Sequence, residues 1–187
     1  TLPHAQEELQ RRPQFMNLIR ILVLSVVLAA SAHAKYVPTP EMAMSFNMDR
    51  DTTKWVPQFM DGDKSGIIFE LVPEGESIDA WKEMVAQQIA FTKVSLRRYV
   101  DEWKAGLLKA DSSIDMEEHQ MVDGSIIVTY SSSSSQEASI RRFIKAKDGI
   151  YMLAYHVRPS LRDESRWAIW REIVGRASLV PNPQKKR

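Results

Sequence analysis

Apolar and polar positions along the chain fall into strand-like and helix-like patterns. From Met42 to Asn47 they alternate, with Met42, Met44 and Phe46 on one face, the period of a half-buried strand. Trp55–Met60 is short and holds Pro57, which confines it to an edge strand or to none. Asp61-Gly62-Asp63-Lys64-Ser65-Gly66 is dense in turn formers. Ile67–Val72 then predicts a strand, stopped at Pro73-Glu74-Gly75-Glu76. Ser77 suits a helix N-cap with Asp79 in the first turn, and Ile78, Trp81, Val85 and Ile89 follow at helical spacing, so a helix is expected to about Ile89. Leu96, Tyr99, Val100, Trp103 and Leu107 make a second stripe, a helix from about Ser95 to Lys109. With no capping signal inside some 30 residues, two helices are expected rather than one.

Four strand-like runs follow. Ile114–Val122 ends at Asp123-Gly124, a hairpin signal. Ser125–Ser131 carries Ile126, Val128 and Tyr130 on one face, and Ser131–Ser135 is a serine loop. Ala138–Lys145 leads to a second hairpin signal at Asp148-Gly149, and Ile150–Val157 is the most apolar strand. Ser160-Leu-Arg-Asp163 reads as a capping box with Asp at its last position, opening a helix whose stripe is Trp167, Trp170, Val174 and Ala177. Pro181 and Pro183 close it. The order β-β-β-α-α-β-β-β-β-α, with strands in blocks, predicts an α+β domain with an antiparallel sheet over residues 35–187.

That order resembles the Mog1/PsbP-like fold, a curved antiparallel sheet flanked by helices. Two stretches sharpen the likeness. One is Phe69-Glu-Leu-Val-Pro-Glu-Gly-Glu76 leading to Trp81-Lys-Glu-Met84. The other is Arg141-Arg142-Phe143 with Asp148-Gly149-Ile150-Tyr151 and Tyr155. These are similar to small secreted bacterial proteins of the DcrB-like kind. The resemblance implies a fold and a compartment. It implies binding or accessory roles more than catalysis.

The first 34 residues read as something other than fold. Met16-Asn-Leu-Ile-Arg20 is a basic start, Ile21–Leu28 an apolar core, and Ala32-His33-Ala34 a small-residue cleavage site before Lys35. That is the order of a secretory signal peptide. The apolar core is short for a membrane span, which needs about 20 residues; an uncleaved anchor is the rival reading and the only membrane contact foreseen. Thr1–Phe15 reads as an upstream extension. A periplasmic or secreted location follows.

Composition narrows the chemistry. Hydrophobic residues are 44% and charged residues 26%, which marks a globular chain. A formal charge of +1 excludes a general nucleic-acid binder, whose affinity rests on many cations. The absence of cysteine excludes disulfides, thiolate metal sites and cysteine nucleophiles. No nucleophile motif of the G-x-S-x-G or S-x-x-K type is present, and no motif demands a cofactor.

Three constellations stand out. Asp61, Asp63 and Ser65, with Gly66, match the front half of a calcium loop, where oxygens at alternate positions suit a hard cation. Val72 stands where the bidentate acid belongs, so a solvated turn is the expectation. Met42, Met44 and Met48, and Met116, His119 and Met121, offer thioether and imidazole ligands of the kind that select Cu(I), against plain core packing. Arg141 and Arg142 sit beside Ile140, Phe143 and Ile144, so one of them is expected to face a covered surface, pair with a carboxylate, or line an anion or ligand groove. The expected function is a non-catalytic binding or accessory module for a small ligand or a periplasmic protein. The alternative is a metal-binding periplasmic protein.

Overall fold

The computed structural model describes residues 37–186. The extension, the signal peptide and the cleavage point before Lys35 lie outside the described residues. Nine strands and two α-helices follow in the order β1 (Met42–Ser45), β2 (Trp55–Asp63), β3 (Gly66–Pro73), β4 (Glu83–Ala90), α1 (Leu96–Ala110), β5 (Ile114–Gln120), β6 (Ile126–Ser132), β7 (Glu137–Lys145), β8 (Ile150–Val157), α2 (Glu164–Arg176) and β9 (Ser178–Pro181). Seven strands form one antiparallel sheet in the order β2-β3-β4-β8-β7-β6-β5, and β1 pairs with β9 in a second, two-stranded sheet. The class is α+β.

The helices lie on opposite faces of the sheet. Val100 of α1 packs with Ile126, Val128, Phe143, Ile150 and Met152 on one face. Trp167, Trp170, Ile173 and Val174 of α2 pack with Ile140, Leu153 and Tyr155 on the other, where Met44 and Phe46 also press in. With both faces covered, β8 has no polar side, and all eight of its residues are buried. A near-continuous apolar run is what such a strand needs.

Local chemistry sets the element ends. Ser95 caps α1, its side chain accepting from the Arg98 N–H. Gly124, at φ +80°, takes the left-handed position in the β5–β6 turn that favours glycine. Gly149 serves differently: a Cβ there would come within 2.4 Å of the Ala90 carbonyl oxygen. β2 is the edge strand foreseen, and the sheet register slips between Pro57 and Phe59.

Three expectations need correction. The helix expected from Ser77 to Ile89 is a loop followed by β4. Met84, Val85 and Ala86 are consecutive buried residues, so the segment is apolar on both faces. It pairs with β8 along its full length, from Glu83 opposite Val157 to Ala90 opposite Ile150. The sheet's long-range pairing overrides a helical spacing that was only four residues deep. The last helix starts later than expected: Ser160 sits in a short 3₁₀ turn, and Asp163 is itself the N-cap, accepting from the Arg166 N–H. The stretch after that helix also adds a strand, because β9 reaches back to pair with β1.

Candidate functional site

Alternation along β7 sends Arg141 and Arg142 to opposite faces, and both are buried, at 6% and 5% exposure. Arg142 reaches the end of α2. Its guanidinium donates to the Val174 and Gly175 carbonyls, to Ser125 Oγ at 3.0 Å and to Asp123 Oδ2 at 2.6 Å. A cation there complements the negative end of the helix dipole. The Ser125 hydroxyl, and then Arg142, hold the Asp123 carboxyl below its ordinary pKa. The two arginines therefore line no common groove. Each one is consumed by the face it enters.

Arg141 organises a second cluster on the α1 face. Its Nη2 donates to Tyr130 Oη at 2.9 Å and its Nε to Ser139 Oγ at 3.2 Å, while the guanidinium lies 5.1 Å from the Trp103 ring centre. Tyr130 in turn donates to Glu137. Glu137 Oε1 lies 2.8 Å from His156 Nδ1 and 3.7 Å from the Arg141 guanidinium. Burial pushes the Glu137 carboxyl up, but the hydrogen bond from His156, together with the nearby positive charge, holds it down at about 2. Burial, then Arg141, pushes the His156 pKa below its ordinary value, so the imidazole is neutral near pH 7 and its Nδ1–H donates to Glu137. His156 Nε2 is buried and has no hydrogen-bond partner. Trp81 closes over this end with its ring centre 6.2 Å from that of His156, and Arg158 lies 4.3 Å above Trp81.

The serine run has a structural use. Asp111 accepts from the Ser113 N–H and from the hydroxyls of Ser113, Ser132 and Ser134, which together outweigh burial and hold its carboxyl at about 2. The same device recurs along the chain. Asp51 accepts from the Thr53 N–H, and Asp63, Asp123 and Asp163 accept from the Ser hydroxyl two residues on. Asp63 Oδ1 takes both the Ser65 N–H at 2.7 Å and its hydroxyl at 2.6 Å. Lys64-Ser65 is a two-residue connection between paired Asp63 and Gly66, while Asp61 lies within β2 opposite Ile68. Asp61, Asp63 and Ser65 thus belong to a tight hairpin rather than an open loop.

Met44, Met48, Met116 and Met121 serve as core filler, and the group at 116–121 is split between the two faces. Met44 and Met48 pack into the core on the α2 face. Met116 packs on the α1 face, whereas Met121 packs on the α2 face. His119 stands exposed beside Glu117 at 3.9 Å. Among the described residues no three His, Asp or Glu side chains are grouped to hold a metal.

An open cleft of about 240 Å³ lies between the 47–50 loop and α2, lined by Asn47, Asp49, Arg50, Glu172, Ile173 and Arg176. Glu172 ties its rim together, pairing with Arg50 on one carboxylate oxygen and with Arg176 at 3.1 Å on the other. Asn47 and Asp49 hold each other through two hydrogen bonds. Sequence reasoning missed both this cleft and Glu137. The cleft joins segments far apart in the chain, with Arg50 and Glu172 separated by 122 positions, and Glu137 carries no motif although its partners lie in neighbouring hairpins. No known protein family and no curated protein matches the chain.

Proposed function

We propose that the chain is an exported, non-catalytic binding or accessory module with a Mog1/PsbP-like fold, and that it takes a small anionic ligand in the cleft between the 47–50 loop and α2. The observation that carries this reading is the sharing of one carboxylate, Glu172, by two exposed guanidinium groups, Arg50 and Arg176. One of these cations can turn to a ligand anion without leaving Glu172 unpaired. Ile173 offers an apolar floor beside them. Elsewhere, the arginines and acids inside the sheet are engaged by internal partners, which suits scaffold rather than chemistry. The signal pattern at Met16–Ala34 supports export. No described helix is long and apolar enough to cross a membrane.

The test is methyl NMR of Ile173 during titration with small carboxylates, amino acids and short peptides. Saturable shifts at Ile173 that disappear in Arg50→Ala or Arg176→Ala support the cleft. Conversion of an added probe to product, or shifts confined to other residues, refutes it. N-terminal sequencing of the exported chain checks the compartment: a start at Lys35 is expected, and a membrane-bound product retaining Met16 defeats it.

A further inference from the structure

We propose that Met84 and His156, covered by Trp81, form a buried site for one soft monovalent ion, Cu(I) or Ag(I). The register sets Met84 of β4 directly opposite His156 of β8. Directly opposed residues share a face, with Cβ atoms about 4.5–5.5 Å apart. Met84 is 7% exposed and Trp81 6%, and the two pack together with Val72. His156 is 4% exposed. This pair is separate from Met42, Met44, Met48, Met116, His119 and Met121, and it is independent of the cleft.

The imidazole is already oriented as a metal ligand. Its Nδ1 is occupied by Glu137 Oε1 at 2.8 Å, and its Nε2 is buried with no hydrogen-bond partner. The two ring nitrogens face nearly opposite ways. Glu137 belongs to β7 and Met84 to β4, the two strands that flank β8. A carboxylate on the far nitrogen fixes the tautomer and raises the basicity of the ligating one, which is how histidine ligands are usually supported.

Ligand type and charge then choose the ion. Thioether and imidazole together favour Cu(I) over hard cations. Trp81 lies edge-to-face with His156, 6.2 Å between ring centres, and itself carries Arg158 at 4.3 Å, so its part is to shield the pair from water. Arg141 and Glu137 offset each other, but Arg158 lies 4.3 Å from the Trp81 ring centre, so a monovalent ion adds the least further charge to a dry site. A divalent ion would add two charges to the same dry site, and burying charge is costly.

The test uses the full chain with ¹³C-methyl methionine, titrated with silver nitrate in chloride-free buffer. Nine methionines give nine signals. The Met84 signal should shift first and saturate at one equivalent. His156→Gln removes a ligand and should weaken that response by at least roughly tenfold, which is the low end of what loss of even an outer partner costs a metal site. Met84→Leu keeps the core volume and provides the second arm: the His156 ring-proton response to silver should weaken similarly. The proposal fails if the Met84 signal moves only after other methionines saturate, or if both variants respond as the parent does. It also fails if Zn(II) at equal concentration shifts Met84 as strongly as Ag(I).

Discussion

Replacing Arg142 by Met should cost about 2–4 kcal/mol, and replacing Arg141 by Met about 3–5 kcal/mol. Met keeps most of the stem volume, so the difference lies in what each guanidinium leaves behind. Arg142 abandons the Val174 and Gly175 carbonyls and Ser125. A hydrogen bond to a charged group is worth about 1.5–3 kcal/mol, and a cation at a partly buried helix end up to about 2, with overlap between the two. Its acid, Asp123, has a side chain 53% exposed, so water takes that charge back. Arg141 instead abandons Glu137, whose side chain is 13% exposed. Breaking a buried pair on one side costs about 3–5 kcal/mol because the other charge stays dry. Urea unfolding with a fixed slope measures both. Adding Glu137→Gln to Arg141→Met should restore part of the loss, because the stranded charge is removed. Arg142→Met costing under about 1 kcal/mol, below the range for one charged hydrogen bond, would refute the reasoning. A double variant no more stable than Arg141→Met alone would refute it equally.

Other outcomes follow from the same contacts. The unfolded chain protonates His156 near pH 6.5, whereas the folded chain resists because burial and Arg141 lower its pKa. Stability should therefore fall as pH drops below about 6.5, and His156→Gln should flatten that limb in pH-dependent unfolding. Glu137 adds a second acid limb: its stabilisation is complete above its ordinary value of 4.5 and is lost as pH falls from there toward about 2. Trp81→Ala should cost about 3–5 kcal/mol, and Trp103→Ala, which empties a half-buried position, about 3 or less, both read by thermal unfolding. Asp63→Ala removes the acceptor of two Ser65 hydrogen bonds and should cost about 0.5–1.5 kcal/mol. Millimolar calcium should leave Tm unchanged in the parent chain; a rise that Asp63→Ala abolishes would make the hairpin an ion site.

Where pattern and structure agree, the governing forces are local. Ser95 caps α1 because its hydroxyl meets an N–H three residues on, and the stripe from Leu96 to Leu107 is one helix face. Asp123-Gly124 makes a turn because glycine accepts a positive φ. Pro57 sits on an edge strand, where a missing N–H costs no ladder bond. The segment from Ser77 to Ile89 misleads for the opposite reason. A strand covered on both faces is apolar at nearly every position, and helical spacing can be picked out of such a run. Only its two neighbours, β3 and β8, decide the case, and both pairings are long-range.

The buried cluster divides along the same line. Once Asp148-Gly149 is taken as a hairpin, counting back from Lys145 opposite Ile150 sets Ser139 opposite His156, with Glu137 one diagonal step away. The contact between His156 and Glu137 was therefore accessible from a short-range signal, and so was the burial of both arginines. Ala138, Ser139, Ile140 and Phe143 are apolar or small on both parities, which a strand exposed on one face would not require. Met84 is different. It meets His156 through a pairing between strands separated by α1 and three other strands, and no turn chemistry sets that register. The half of the site that holds the imidazole in place is written in a hairpin. The half that would give it a soft neighbour arises only when β4 closes onto β8, so a variant that weakens this pairing should lose silver binding before it disturbs the Glu137 contact.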